Sequence, residues 1–187
     1  MAFLAQLDSI DGRRLNLLQR LLLVNDGTLT DAVEMAFLEP IALEKLALEI
    51  TTGADAPEAI QAPASAPIME RRILLKGEQT RQPYVYAESW IVLDRLPESM
   101  RRQLIDSTAP IGRLWTEHQL ETRKEILRFW RQPAAALAPH FHLPPSAELL
   151  ARSYRVFLQA QPIMLIAEYF PTTLRYPALR NCLQLHR

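Results

Sequence analysis

Two charged residues, Arg71 and Glu168, lie in segments whose other residues are largely aliphatic. If both segments are strands, side chains alternate between two faces, so Arg71 shares a face with Ile73 and Leu75, and Glu168 is the single charge on its face of 164–170. A charge carried into an apolar core costs several kcal/mol unless it is paired. The two residues are therefore halves of a buried ion pair, charges that reach a sheet edge, or the polar lining of a ligand cavity. The alternation selects these two residues but does not decide among the three roles.

Other residue types that carry chemistry occur without the partners they would need. His140 and His142 are spaced like a metal-binding pair, but no further histidine and no acid accompanies them in their segment, so no metal site is predicted. Cys182 is the single cysteine, which excludes an internal disulfide, and no companion base marks it as a nucleophile. The mixed charges of residues 121–125 predict a solvated face.

Composition restricts the class of protein. The 187 residues suit one domain, and 49% hydrophobic with 22% charged residues is typical of a globular chain. Basic and acidic residues number 21 each, and this balance argues against nucleic-acid binding and against charge-driven attachment to membranes. The apolar runs are shorter than the ~20 residues of a membrane span, and the first basic residues follow the apolar ones, unlike a secretory signal. We therefore expect a soluble cytoplasmic protein.

The first third of the chain predicts a helical hairpin, a strand and a loop. Apolar residues from Leu15 recur at helical spacing until the Asn-Asp-Gly turn at 25–27, and a second helix is predicted over 31–37. Ile41–Thr52 is interpreted as a strand from the alternation in its second half. The Ala/Pro-rich stretch 53–67 should bury little, and we predict a mobile loop there.

The remainder predicts antiparallel strands in sequence-adjacent pairs. Four segments have the aromatic and β-branched content or the apolar alternation that strands prefer: 71–77, 83–93, 152–158 and 163–170. Between the two pairs come a short helix at 97–105, a turn at 109–113 and a polar stretch to residue 132, followed by a second Ala/Pro-rich loop at 133–145. Strand pairs flanked by helices predict an α+β fold in a single domain spanning residues 1–187.

Five motifs span most of the chain: LLLVNDGTLTDAVE (21–34), RRILLKG (71–77), YVYAESWIVLDRLP (84–97), PIGRLW (110–115) and RSYRVFLQAQPIMLIAEYFP (152–171). Their order and spacing resemble those of the chorismate pyruvate-lyase family. The resemblance implies an antiparallel sheet flanked by helices, with the ligand in an enclosed internal cavity. It also implies conversion of the small molecule chorismate to 4-hydroxybenzoate and pyruvate.

The same resemblance implies roles for four residues. Arg71 would hold the ring carboxylate together with the main-chain amides of Leu29 and Ile111, and Glu168 would contact the oxygen at the opposite end of the ring. The resemblance implies no metal or organic cofactor and a product used in quinone biosynthesis. The expected assembly is a monomer or a small homo-oligomer.

The chemistry of Glu168 and the second carboxylate of chorismate raise two further expectations. A carboxylate on an apolar face should have a raised pKa, since desolvation disfavours its charged form. A protonated Glu168 would donate to the ether oxygen as the C–O bond breaks, whereas an ionised one would help to remove a ring proton; the first role is favoured here. The carboxylate on the enolpyruvyl arm needs its own donors, for which Arg155 and Arg113 are candidates.

Two other functions stay open at this point. One is a non-catalytic module that binds a small aromatic acid, because the same fold is related to effector-sensing domains of transcription regulators. The other is a scaffold in which Arg71 and Glu168 form a structural salt bridge and no aromatic ligand binds.

Overall fold

The computed structural model describes residues 10–106 and 110–174. Its sheet is built from six strands: β1 (Ile41–Thr52), β2 (Pro67–Gly77), β3 (Pro83–Val92), β4 (Thr122–Pro133), β5 (Glu148–Leu158) and β6 (Gln161–Pro171). The strands pair in the order β1-β2-β3-β6-β5-β4, and each neighbouring pair is antiparallel. The α+β prediction with a single antiparallel sheet is confirmed.

Helices of the described residues lie beside the sheet: α1 (Leu17–Val24), α2 (Leu29–Phe37), α3 (Glu98–Asp106) and α4 (Ile111–Glu117). A capping box starts α1, since the Asn16 side chain accepts from the Gln19 amide at 2.9 Å and the Gln19 side chain accepts from the Asn16 amide at 3.0 Å. The predicted helical hairpin is confirmed, and its second helix begins at Leu29, two residues earlier than expected.

One face of the sheet carries two separate apolar clusters. The cluster beside α1 and α2 includes four strand residues from this face: Leu75, Val85, Leu150 and Phe170. The cluster beside α3 and α4 includes five strand residues from the same face: Met69, Ile91, Tyr154, Met164 and Ile166. Alternate residues of a strand share a face, so Arg71 lies on β2 between Met69 and Leu75, and Glu168 lies on β6 between Ile166 and Phe170. The two charged residues therefore lie in the gap between the clusters.

A tight turn joins β5 to β6 and confirms the predicted hairpin. Its two central residues, Gln159 and Ala160, both have positive φ, at 47° and 65°. Positive φ at both positions is the type I′ pattern, whose twist matches that of the flanking strands. The turn and a bulge between Val156 and Phe157 together set the register in which Arg152 of β5 faces Glu168 of β6.

Two predictions between α3 and β5 are wrong. The segment interpreted as a turn contains helix α4, which begins after Pro110 and buries Leu114 in the second apolar cluster. The polar stretch contains the edge strand β4, which pairs with β5 along its length. Charged side chains are tolerated on an edge strand and obscure its alternation. The second Ala/Pro-rich loop includes a 3-10 helix, Ala135–Phe141.

The Ala/Pro-rich stretch 53–67 has more internal structure than its composition suggests. It contains two 3-10 turns, Gly53–Asp55 and Glu58–Ile60. Ile60 and Ala66 are buried, and the other residues of the stretch are exposed or half-buried. Arg95 donates to the carbonyls of Ile60 at 2.9 Å and Gln61 at 2.5 Å. The mobility of this stretch stays a prediction.

The structure also bears on the predicted absence of a membrane span, on the histidine pair and on the single cysteine. No helix within residues 10–106 and 110–174 is long and apolar enough to span a membrane. The ring of His140 stacks on Tyr86, with centroids 5.2 Å apart. Cys182 lies outside the described residues.

Candidate active site

A cavity of about 240 Å³ lies against the helix-covered face of the sheet. Residues of all six strands line it, so the sheet curves around it, and the beginnings of α2 and α4 complete the wall. Sites for drug-sized ligands typically measure roughly 300–1,000 Å³, so the volume suits a ligand of about one ring. The four residues selected from the sequence all line this cavity: Arg71, Leu29, Ile111 and Glu168.

Arg71 is buried in the cavity wall with 2% of its surface exposed. The side chain of Arg72 points to the opposite face, is 50% exposed and pairs with Glu88 at 3.9 Å. Strand alternation therefore assigned both arginines to the correct faces. Burial lowers the pKa of Arg71 to about 10, so its guanidinium stays charged at neutral pH and can pair with a carboxylate.

Glu168 is the acidic half of a buried ion pair. Its Oε2 accepts a hydrogen bond from Nε of Arg152 at 2.5 Å, and its Oε1 accepts one from the Tyr154 hydroxyl at 2.8 Å. The expectation of an isolated carboxylate on an apolar face is wrong, because Arg152 on the neighbouring strand compensates its charge. The suggested structural salt bridge has Arg152, rather than Arg71, as the partner of Glu168.

Tyr154 is held as a hydrogen-bond donor to this carboxylate. Burial, followed by the nearby negative charge of Glu168, raises the pKa of Tyr154 well above its usual value. The hydroxyl therefore keeps its proton at any working pH. With Arg152 on one oxygen and Tyr154 on the other, Glu168 has the partners that an ionised carboxylate requires.

Arg152 joins the ion pair to the end of α1. It is fully buried, and its Nη1 donates to the carbonyls of Leu23 at 3.0 Å and Asn25 at 2.8 Å. Carbonyls at a helix C-terminus lack intrahelical partners and favour a cation. Burial disfavours the charged form, but Glu168 outweighs it and the pKa of Arg152 is raised. Sequence reasoning missed Arg152, although it shares its strand face with Tyr154 and Val156, the same pattern that singled out Glu168.

The N-termini of α2 and α4 meet at the cavity. Leu29 is the first residue of α2 and Ile111 the first of α4. N–H groups in a helix's first turn have no intrahelical acceptor, so they are available to an anion. The two helix starts are in close contact, because a Cβ on Gly112 would lie 2.6 Å from Cγ2 of Thr28. Glycine at position 112 permits this approach.

Lys124 of β4 also lines the cavity, and sequence reasoning missed it. Its Nζ donates to the Gly27 carbonyl at 2.6 Å and lies 5.4 Å from the centre of the Tyr154 ring. The solvated face predicted for residues 121–125 is therefore wrong at this position. Burial lowers the pKa of Lys124, and the negative charge of Glu168 opposes that effect.

The sequence candidates for a second carboxylate lie away from the cavity lining. Arg155 donates to the Ala59 carbonyl at 3.2 Å and to Glu125 at 2.9 Å. Arg113 is exposed on the surface of α4. Of the described residues that line the cavity, the cationic ones are Arg71 and Lys124, and the acidic ones are Asp26 and Glu168.

The geometry defines an α+β domain with a cavity lined by an arginine, a lysine and a paired carboxylate. The structure is similar to the effector domain of PhnF from Mycobacterium smegmatis, with a TM-score of 0.61 and 13% identity, covering 79% of this chain and 90% of that one. This likeness shows the fold. The chorismate pyruvate-lyase Rv2949c-like family model matches residues 23–177, and the chain belongs to that family.

Relatives in the family have names that specify the reaction. The chorismate pyruvate-lyase of Mycobacterium tuberculosis (strain H37Rv) is 28% identical over 162 residues, covering 84% of this chain and 81% of the relative. The chorismate pyruvate-lyase of Mycobacterium leprae is 29% identical over 159 residues, covering 84% of this chain and 76% of the relative. The family match, residues 23–177, includes all six strands of the sheet.

Proposed function

We propose that this protein is a chorismate pyruvate-lyase that converts chorismate to 4-hydroxybenzoate and pyruvate. The observation that carries the proposal is that one cavity of about 240 Å³ receives Arg71, Glu168 and the first residues of two helices. Membership of the family supports the same reaction. The sheet separates Arg71 on β2 from Glu168 on β6 by one intervening strand, so the two backbones lie roughly 10 Å apart along the sheet. Their side chains can reach opposite ends of one ring.

The ring carboxylate is assigned to Arg71. A guanidinium fork can donate two parallel hydrogen bonds to a carboxylate, and inside a cavity such a pair is stronger than in water. The first-turn amides of Leu29 and Ile111 are assigned as further donors. In this arrangement the para hydroxyl of the ring points towards Glu168.

Glu168 is assigned as an ionised acceptor rather than the protonated donor favoured from the sequence. Its hydrogen bonds with Arg152 and Tyr154 support the ionised form. In the reaction, the bond between the ring and the enolpyruvyl oxygen breaks, and its electrons stay on that oxygen. The neighbouring ring carbon, which bears the hydroxyl, loses its proton, and the ring becomes aromatic. Glu168 would hold that hydroxyl, take that proton and pass it to the departing enolate, and the resulting enol would tautomerise to pyruvate.

Aromatisation makes the product a deep thermodynamic sink, so the cavity mainly positions the substrate and stabilises charge on the leaving group. The proposal includes no metal and no organic cofactor. It also includes a small-molecule partner rather than nucleic acid, a cytoplasmic location, a monomer or small homo-oligomer, and use of the product in quinone biosynthesis.

The direct test is to give purified protein chorismate, with and without a metal chelator, and to measure 4-hydroxybenzoate and pyruvate. We expect the two products in equal amounts and at the same rate in both conditions. Absence of turnover at every pH between about 5 and 9 would refute the lyase assignment.

The alternative function is a non-catalytic domain that binds a small aromatic acid. The likeness of the fold to an effector domain favours this second candidate. Calorimetry separates the two, because hydroxybenzoate binding without chorismate turnover would support the binding domain. Lack of both binding and turnover would leave the scaffold function.

A further inference from the structure

Chorismate carries two carboxylates, and the proposed function assigns hydrogen-bond donors only to the one on the ring. The second carboxylate is on the enolpyruvyl arm, which leaves the ring next to the hydroxyl-bearing carbon. A dianion is held well when each carboxylate meets its own cation, because charge-assisted hydrogen bonds are about twice as strong as neutral ones. The arm therefore needs a cation near the Glu168 end of the ring.

Lys124 lies on the side of Glu168 that is farther from Arg71. In the strand order, Arg71 is on the second strand, Glu168 on the fourth and Lys124 on the sixth, and all three line the same curved wall. The Lys124 ammonium is above the ring of Tyr154, whose hydroxyl donates to Glu168. A ligand whose hydroxyl contacts Glu168 would thus extend a substituent from the adjacent ring carbon towards Lys124.

The Lys124 ammonium has further N–H groups that could donate to such a substituent. An ammonium carries three N–H groups, and the hydrogen bond to the Gly27 carbonyl occupies one of them. That bond also aims the side chain at the turn preceding Leu29. Asp26 lines the same cavity and acts on the Lys124 ammonium, so a cation at this position offsets the repulsion between Asp26 and an incoming anion.

We propose that Lys124 binds the enolpyruvyl carboxylate and so distinguishes the dianionic substrate from the monoanionic ring product. This inference rests on the proposed function and deepens it. It predicts that the product, which has lost the arm, makes no contact with Lys124. Release of the arm therefore weakens binding at one end of the site while Arg71 still holds the ring.

The test compares two stable ligands that differ by one arm. 4-Hydroxybenzoate carries the ring carboxylate and the hydroxyl, and 3-(carboxymethoxy)-4-hydroxybenzoate adds an ether-linked carboxylate next to the hydroxyl. Lys124→Met should weaken the dicarboxylate roughly 10- to 100-fold and 4-hydroxybenzoate by less than about 3-fold, measured by calorimetry. Lys124→Arg, which keeps the charge, should retain most of the preference. Arg123→Met is the matched control, because Arg123 is exposed on the same strand and lies 4.3 Å from the Phe157 ring.

Several outcomes would overturn the proposal. If Lys124→Met weakens both ligands equally, the lysine acts by holding the turn at Gly27. If it weakens neither, the arm binds elsewhere. If Lys124→Met does not fold, the same two ligands are compared in the unmodified protein. It should bind the dicarboxylate more tightly than 4-hydroxybenzoate, and that affinity should fall more steeply with salt concentration. Equal affinities would refute the proposal. Loss of the lyase assignment is distinguishable, since it would appear as no chorismate turnover in the unmodified protein while this ligand preference persists.

Discussion

Arg152 and Glu168 face each other on neighbouring strands, and the side chains form an ion pair in which Nε and Oε2 are 2.5 Å apart. Both are almost completely removed from solvent, with exposed fractions of 0% and 4%. The pair occupies the gap between two apolar clusters, and Arg152 extends it to the carbonyls that end α1. The Glu168 carboxylate is therefore fixed by the same cation that anchors the chain leading into α2.

The ion pair should show strong thermodynamic coupling. Arg152→Met or Glu168→Leu alone should lower the free energy of unfolding by about 3–5 kcal/mol, because each leaves an uncompensated buried partner. The double variant Arg152→Met, Glu168→Leu should lose much less than the sum, since no charge remains buried. Urea unfolding of the single and double variants measures the coupling, and additive losses would show that the two side chains contribute independently.

The fold and two of the cavity charges could be predicted from sequence because strand alternation is a local property. Arg71 and Glu168 differ from their neighbours on one face, and the β5–β6 hairpin has a clear turn between apolar segments. The partner of Glu168 could not be predicted in the same way. Pairing depends on the register between strands, and Arg71 and Arg152 satisfied the local pattern equally well.

The position of Lys124 in the cavity wall could not be predicted from the sequence, for a different reason. It lies in an edge strand among other charges, and a bulge between Ile126 and Arg128 shifts the register of β4 against β5. The shift interrupts the alternation of polar and apolar residues, so the sequence of this strand resembles an irregular polar stretch. That Lys124 faces a cavity follows from the curvature of the sheet, which a local pattern does not encode.

Arg71 and Arg72 offer a matched pair for testing the ring-carboxylate site. Arg71→Ala should weaken 4-hydroxybenzoate binding by roughly 10- to 100-fold, because a charge-assisted hydrogen bond to the carboxylate is lost. Arg72→Ala should leave binding nearly unchanged, since its side chain is on the opposite face beside Glu88. Calorimetric titration of both variants measures this, and equal losses would mean that the carboxylate is held from elsewhere.

Gly112 sets how closely the beginnings of α2 and α4 approach. Gly112→Ala would place a Cβ 2.6 Å from Cγ2 of Thr28, and the helix starts would have to separate. We expect a loss of up to roughly 100-fold in kcat/KM, because misplacement of about 1 Å can cost that much. Thr28→Ser removes the methyl group, so the double variant should recover most of the lost activity. Failure of this rescue in steady-state kinetics would locate the effect of Gly112 outside this contact.

Glu39 should make the stability of the protein depend on pH. Its carboxylate accepts from the Gln79 and Thr80 amides at 3.1 and 3.0 Å, from the Thr80 hydroxyl at 2.7 Å and from the Tyr84 hydroxyl. Burial raises the pKa of Glu39, but the hydrogen bonds from Tyr84, Thr80 and Gln79 together outweigh it and leave the pKa below its usual value. Because the folded pKa is the lower one, the stabilisation is present above the unfolded pKa and is lost as the pH falls through the folded pKa.

The measurement is the difference in unfolding free energy between the unmodified protein and Glu39→Gln. It should be largest above about pH 5 and should shrink as the pH falls below about 4. Tyr84→Phe removes one of the donors, so it should cost less in the Glu39→Gln background than in the unmodified protein. A difference that is constant between pH 3 and 7 would contradict the role of the ionised carboxylate.

Arg95 connects the Ala/Pro-rich stretch 53–67 to the rest of the protein. Its guanidinium donates to the carbonyls of Ile60, Gln61 and Pro162, and so joins this stretch to the start of β6. Arg95→Met should release the stretch and increase its amide hydrogen exchange, because those contacts resist local opening. Arg101→Met is the matched control, since Arg101 makes a partly exposed pair with Asp94 at 3.4 Å. Fast exchange of residues 53–67 in the unmodified protein would confirm the predicted mobile loop, whereas slow exchange that only Arg95→Met accelerates would show that the arginine holds it in place.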